Sequence, residues 1–230
     1  MTTATSPLEL LSDEYAAWWI DILGEHNHIG GLETTRWLLD HARIDAASTV
    51  LDAGAFVGGT ARFIAGHTGA RVVATDVNAD FAVTGRELAD GGRVAWASGA
   101  TQKLPFRDGA FSSVWCLDSY VAVRELSRVA GHPATLCLCC EVPTDSRGGV
   151  ESFIDEWAEY GWELSAHRQI SSDATQTWRH AEAEMVRRRP YFEERYGKRG
   201  YLGQLDMLAG MVRAYEIGEQ GHGLFVFARV

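Results

Sequence analysis

The chain has 230 residues, 46% of them hydrophobic and 10% aromatic, which suits one α/β domain with a full core but not two ordinary domains and a linker. Its net charge of −10, from 21 Lys+Arg against 31 Asp+Glu, repels polyanions and argues against a nucleic-acid partner. No apolar run approaches a bilayer span, and no basic segment followed by an apolar one opens the sequence, so a cytoplasmic protein without membrane association is expected.

From residue 8 to residue 42 apolar residues recur at helical spacing, interrupted at Gly30-Gly31, which predicts a helical cap or lid over residues 1–45. From Thr49 onward short apolar strands alternate with helices. Strands are predicted at 50–54, 71–76, 93–97, 111–117 and 135–142, with helices at 60–65, 79–89 and 120–129 between them. Such alternation implies a parallel sheet wound right-handedly, with helices on both faces. After Pro143 the rhythm changes. A helix at 150–160, an extended stretch at 162–170 and a long helical block (175–196 and 201–217) precede a last strand at 223–230. The expected fold is a Rossmann-like, mostly parallel, seven-stranded α/β sheet over residues 46–230. A helical substrate region, about 171–217, is inserted before the last strand.

Three of the four cysteines, Cys137, Cys139 and Cys140, share one apolar strand, and Cys116 lies in another. There is no disulfide framework and no CxxC pair, so buried free thiols are expected. A thiol lining a pocket or holding a soft metal is the other reading.

The stretch VLDAGAFVGGT (50–60) places a glycine turn between a strand and a helix. In such sheets the ligand lies beyond the carboxyl ends of the strands, where glycine lets the backbone come close. Asp76 ends the next strand, 22 positions after Gly54, a spacing that suits a carboxylate on a ribose diol. There is no GKS or GKT, Lys103 and Lys198 are the only lysines, and GxGxxG is not met. A nucleoside without an obligatory pyrophosphate remains, S-adenosylmethionine (SAM) being the commonest.

From about His26 onward the chain resembles the class I SAM-dependent methyltransferases, nearest the sarcosine and tocopherol methyltransferase groups. HIGGLETTRWLL, STVLDAGAFVGGTARFIA, ATQKLPFRDGAFSSV, VRELSRVAGHPATLCL and HGLFVFARV carry the resemblance. It implies methyl transfer from SAM to a small, hydrophobic or aromatic metabolite. Asp52, Gly54, Ala55, Phe56, Gly58, Asp76, Val77, Ala100, Thr101 and Cys116 would hold the cofactor. Phe56 replaces the middle glycine of the family's turn, Ala100 stands where an Asp is usual, and Ser112 stands where another is expected. The alternative is therefore a methyltransferase-like protein repurposed for a cyclisation or rearrangement, with SAM absent or structural.

Methyl transfer needs a base only where the acceptor must lose a proton, and histidine matches neutral pH. His28 is the first candidate, because the resembling enzymes fold this segment over the site. Glu141, at the end of the fifth strand, is a second base or a substrate anchor. Tyr15, Trp18 and Trp19, with Trp178 and Tyr201 of the helical block, are candidate substrate walls. Asp118 with Glu141 could supply oxygens to Mg²⁺, but Asp118 also fits as the N-cap of the helix near Tyr120, and no metal is expected. The partner is a small molecule; a homodimer is an allowed assembly.

Overall fold

Apolar residues on both sides of the central strands dictate the sheet. In β1 (Thr49–Ala53), Val50 packs to one face, Leu51 and Ala53 pack to the other, and all three are fully buried. A strand buried on both faces belongs inside a sheet covered by helices. β1 pairs in parallel with β2 (Arg71–Asp76) and with β4 (Phe111–Leu117). β2 pairs with β3 (Val94–Ser98), and β4 with β5 (Ala130–Val142), again in parallel. β7 (Gly221–Arg229) runs antiparallel between β5 and β6 (Glu163–Gln169), giving the order β3-β2-β1-β4-β5-β7-β6. This is the seven-stranded, mostly parallel sheet that the strand–helix alternation predicts. A computed structural model describes residues 14–88, 92–144 and 149–229 of the chain.

Side-chain alternation divides the core. One face takes Leu38 and Ala42, on and just after α2 (Gly31–His41), with Ala61, Ile64 and Ala65 of α3 (Gly59–Thr68). α4 (Ala79–Glu87) packs beside it on β2 and β3, its N-cap Asn78 accepting the Asp80 amide at 2.9 Å. The other face takes Leu126 and Val129 of α5 (Val123–Val129) and Trp157 of α6 (Gly149–Ala158). The cysteines follow the same alternation: Cys137 and Cys139 lie on the first face, Cys116 and Cys140 on the second, all free and buried. Burial raises each of these thiols above its ordinary pKa.

A third cluster joins the N-terminal helix α1 (Glu14–Leu23) to the helical block α7 (Ser171–Arg187) and α8 (Arg189–Glu216). Trp18 stacks against Phe192, at 5.0 Å, and against Tyr196, at 4.0 Å. The Asp21 carboxylate, 3% exposed, accepts the hydroxyls of Tyr191 at 2.9 Å and Tyr196 at 3.1 Å, with Arg188 beside it.

Boundaries differ from expectation in three places. The helix after β4 begins at Val123 rather than residue 120, because Asp118 has φ 45° and the chain stays non-helical through Ala122. The long block divides at Arg188, where Pro190 occupies the first turn of α8 and its ring bars a continuous helix. The gap foreseen between Tyr196 and Tyr201 is a kink: Gly197, with φ 73° and ψ 155°, interrupts α8. Ser112 lies at the start of β4, where its hydroxyl accepts the Thr49 amide at 2.9 Å and so stitches β1 to β4. No helix among the described residues is long and apolar enough to cross a membrane.

Candidate active site

The glycine turn lies at the carboxyl end of β1. Gly54 has φ 78°, and a Cβ there would fall 2.0 Å from the Ser119 hydroxyl, so only glycine fits between the turn and the loop after β4. Phe56 also takes a left-handed φ, 51°, which costs a non-glycine residue about 1 kcal/mol or more. Two contacts hold it there. Its amide donates to Asp76 at 3.0 Å, and its ring meets Phe81 edge-on at 4.9 Å. Asp76 accepts the Asn78 amide as well, at 3.0 Å, so its carboxylate joins the end of β2 to the turn.

A cavity of about 20 Å³ remains here, room for a single water, among Asp52, Gly54, Ala55, Phe56 and Thr60. Glu25, Asn27 and His28 of the N-terminal segment roof it. Asp52 is buried and its Oδ2 has no hydrogen-bond partner among the described residues. Burial, and then the charge of Asp76, raises its pKa to about 7. An orphaned, buried carboxylate oxygen beside a glycine turn fits a ligand that brings an ammonium or hydroxyl group. The chemistry of these residues therefore suits the ammonium and hydroxyl groups of SAM, and the roof of Glu25, Asn27 and His28 has to move aside to admit the whole molecule.

Across Asn27 and His28, which line both spaces, lies a cavity of about 670 Å³. Its walls include Trp19, Trp178, Met207, Met211 and Tyr120; Asp118, Glu141, Tyr215 and His222 stand among them. Asp118 follows β4 and His222 opens β7. The antiparallel insertion of β7 beside β5, with Glu141 opposite His222, brings them together. Asp118 Oδ1 lies 2.8 Å from His222 Nε2, and Asp118 Oδ2 accepts the Ile29 amide at 2.7 Å. Tyr215 Oη lies 2.9 Å from His222 Nδ1. Burial works to raise the Asp118 pKa, but the neighbouring His222 and the Ile29 amide hold it below the ordinary value. The ionised carboxylate only accepts, so His222 Nε2–H donates to it, and Nδ1, when it carries no proton, accepts from the Tyr215 hydroxyl. Cys139 Sγ lies 3.5 Å from His222 Nε2 and 3.8 Å from Asp118 Oδ2, a trio of donor atoms within metal-binding reach of one another.

His28 is buried, with Nε2 2.9 Å from the Thr35 hydroxyl. Burial first, opposed by the charge of Asp118, lowers its pKa to about 4, so it stands neutral at the junction of the two cavities. Glu141 lies at the large cavity and carries no hydrogen bond or ion pair among the described residues. Trp19 and Trp178 face that cavity; Trp18 and Tyr201 lie instead in the buried cluster of α1, α7 and α8. The Tyr15 side chain is outside the described residues. Gly58 caps α3 at φ 78° with the Trp96 ring against it. Val77 is 74% exposed beside Asp76, while Ala100 and buried Thr101 sit in the turn after β3, Ala100 bridged to Lys103. Cys116 is sealed on the opposite face of the sheet, its thiol 3.7 Å from the Tyr120 carbonyl. Asp118 caps no helix. Tyr215 and His222 were not foreseen from the sequence; the one local signal is a histidine between two glycines at the mouth of the last strand.

Residues 50–133 match the family model described as a methyltransferase domain. No curated protein matches the sequence. A structure assigned as a sarcosine dimethylglycine methyltransferase from Galdieria sulphuraria superposes with a TM-score of 0.83 at 14% identity, over 92% of this chain and 95% of that one. The chain has the class I methyltransferase fold. Phosphoethanolamine N-methyltransferase 2 of Haemonchus contortus, solved with phosphomonomethylethanolamine and S-adenosylhomocysteine, gives a TM-score of 0.82 at 13% identity. That match covers 98% of this chain and 60% of the longer enzyme. The cyclase SpnF gives 0.68 at 19% identity, over 86% of this chain and 80% of its own. The methyltransferase-domain match spans β1 to the start of β5, so the glycine turn, Asp76 and Asp118 lie inside it and His222 lies beyond.

Proposed function

We propose that the protein transfers the methyl group of SAM to a small, apolar acceptor bound in the 670 Å³ cavity. The observation that carries this reading is the adjacency of the two spaces: the glycine turn with its carboxylates and the large cavity share Asn27 and His28 as a common wall. Asp52 and Asp76, with the backbone of Gly54, Ala55 and Phe56, would hold the cofactor, which supplies an electrophilic methyl group on a sulfonium. The N-terminal segment is the lid over both, closed by Asp21 on α8 and by the Glu25–Arg62 ion pair on α3.

The protein's own contribution is placement, exclusion of water and proton transfer. Trp19 and Trp178 hold the apolar body of the acceptor. Tyr215 meets the proton that the acceptor gives up. Its oxygen takes that proton as its own passes to His222 Nδ1, and Asp118 stabilises the resulting imidazolium. A base with a pKa near 4 takes a proton poorly at neutral pH, so His28 serves as a neutral hydrogen-bonding wall.

A second reading has its own support. Likeness to a cyclase, together with the tight space at the cofactor turn, favours a pocket repurposed for cyclisation or rearrangement. Calorimetric titration with SAM, followed by assay of S-adenosylhomocysteine release over an acceptor panel, separates the two. Binding with release supports methyl transfer. No SAM binding overturns it, and binding without release from any acceptor favours the repurposed pocket.

A further inference from the structure

We infer that the acceptor is an amine, a cationic nitrogen on an apolar, ring-bearing body, with Glu141 as its anchor. The inference rests on the methyl-transfer reading of the same cavity. No lysine or arginine occurs among the described residues that line this cavity, whereas Asp118 and Glu141 both present carboxylates to it. His28 is neutral there and adds no positive charge. An acidic or phosphorylated head group would meet charge of its own sign at both carboxylates, the Asp118 side chain being only 20% exposed and so the less screened of the two. A positive head group is attracted by the same field.

The two carboxylates are not equivalent. Asp118 is already engaged, accepting from His222 and from the Ile29 amide. Glu141 has no hydrogen bond or ion pair among the described residues. It is the next-to-last residue of β5, at the carboxyl edge of the sheet, where ligands of such folds lie. The Glu141 side chain is exposed, so water solvates its carboxylate when the cavity is empty and leaves it free to pair with a charge carried on the ligand. The faces of Trp19, Trp178 and Tyr120 suit both the apolar body and the cation.

The relay beside Glu141 does what an amine requires. An ammonium has no free electron pair, so one N–H bond breaks first. The proton goes to the Tyr215 oxygen while the Tyr215 proton moves to His222 Nδ1. The freed nitrogen pair forms the bond to the methyl carbon of the sulfonium donor. The carbon–sulfur bonding pair stays on sulfur, leaving a thioether and an N-methylated ammonium.

The test uses cofactor-free protein and three probes with one body: naphthylethylamine, naphthylethanol and naphthylacetate, titrated by calorimetry. The amine is expected to bind roughly tenfold tighter than the alcohol, and the acetate more weakly than either. Glu141→Gln should bring the amine down to the alcohol's affinity while leaving the alcohol unchanged, which also shows that the variant is folded. An alcohol or acetate that binds as tightly as the amine overturns the inference. So does an amine advantage that survives Glu141→Gln, or an amine that does not bind. Methyl transfer is judged separately, by S-adenosylhomocysteine release. Amine preference without release sinks methyl transfer alone, and release with hydroxyl acceptors only sinks the amine alone.

Discussion

Asp118 Oδ1 and His222 Nε2 stand 2.8 Å apart, although 104 positions (222 − 118) separate the two residues in the chain. Behind the pair, the Tyr215 hydroxyl lies 2.9 Å from His222 Nδ1 and lines the cavity, where the proposed relay begins. His222→Gln should lower kcat about a hundredfold, the usual loss on removing a general base, and leave SAM affinity close to wild type. Asp118→Asn should follow it, because the imidazolium loses its counter-charge. Steady-state kinetics beside SAM titration check both; an unchanged kcat in His222→Gln would remove the relay from the reaction.

Asp76 should carry much of the cofactor affinity. It ends β2, and beyond its bonds to the Phe56 and Asn78 amides its oxygens retain lone pairs for a ribose diol. Loss of a hydrogen-bonded carboxylate costs roughly 1.5–3 kcal/mol, so Asp76→Ala should weaken SAM about ten- to hundredfold. Calorimetry on the two proteins, each first shown to be folded, decides. Equal affinity would place the cofactor elsewhere.

The pH dependence follows from Asp52. Burial raises its pKa from 3.8 to about 7, so its stabilising contribution is present below the unfolded value and lost as pH rises through 7. A ligand bearing a positive ammonium binds the ionised form. SAM affinity should therefore rise between about pH 6 and pH 8, and Asp52→Asn should flatten that rise. His28 acts with the other sign: its folded pKa of about 4 lies below 6.5, so stability is lost as pH falls through that interval. An Asp52→Asn profile as steep as the wild type's would assign the titration to another group.

Asp21 should decide whether the N-terminal segment stays closed. Its buried carboxylate accepts two tyrosine hydroxyls and faces Arg188. Asp21→Ala should cost about 2–3 kcal/mol and expose the segment before Gly30 to limited proteolysis while the sheet stays protected. Cleavage at the wild-type rate would show that the tryptophan packing and the Glu25–Arg62 pair hold the segment without Asp21.

Turnover should not depend on a metal. Asp118, Cys139 and His222 converge, but Asp118 and His222 already satisfy one another and burial keeps the Cys139 thiol protonated. Dialysis against a chelator should leave the rate unchanged, and recovery of a lost rate on adding Zn²⁺ or Mg²⁺ would reverse this view.

What could be read from the sequence depended on distance along the chain. The strand, glycine turn, helix and terminal Asp76 are contiguous, so their order exposed the sheet and the cofactor turn together. Glu141 was legible because its place at the end of a strand is itself a local fact. Asp118 reads as an N-cap because aspartate is favoured both there and at left-handed φ, and residue type alone does not separate the two; its φ of 45° delays the helix to Val123. His222 reaches the site through the antiparallel insertion of β7, a pairing that strand-like composition does not specify, and Tyr215 reaches it from the last turn of α8. Trp18 and Trp19 are neighbours buried in the same cluster, but only Trp19 also lines the cavity, a distinction that helical periodicity alone does not make.

Gly197 makes α8 two devices on one helix. Residues before it grip Asp21; residues after it, Gln204, Met207, Met211 and Tyr215, form a wall of the large cavity. A bulkier or slimmer side chain at Met207 or Met211 alters the gauge of that wall without reaching the grip, and methionine is the side chain most forgiving of such exchange. A descendant of this protein can thus acquire a new clientele of molecules through two positions, inheriting its closure intact.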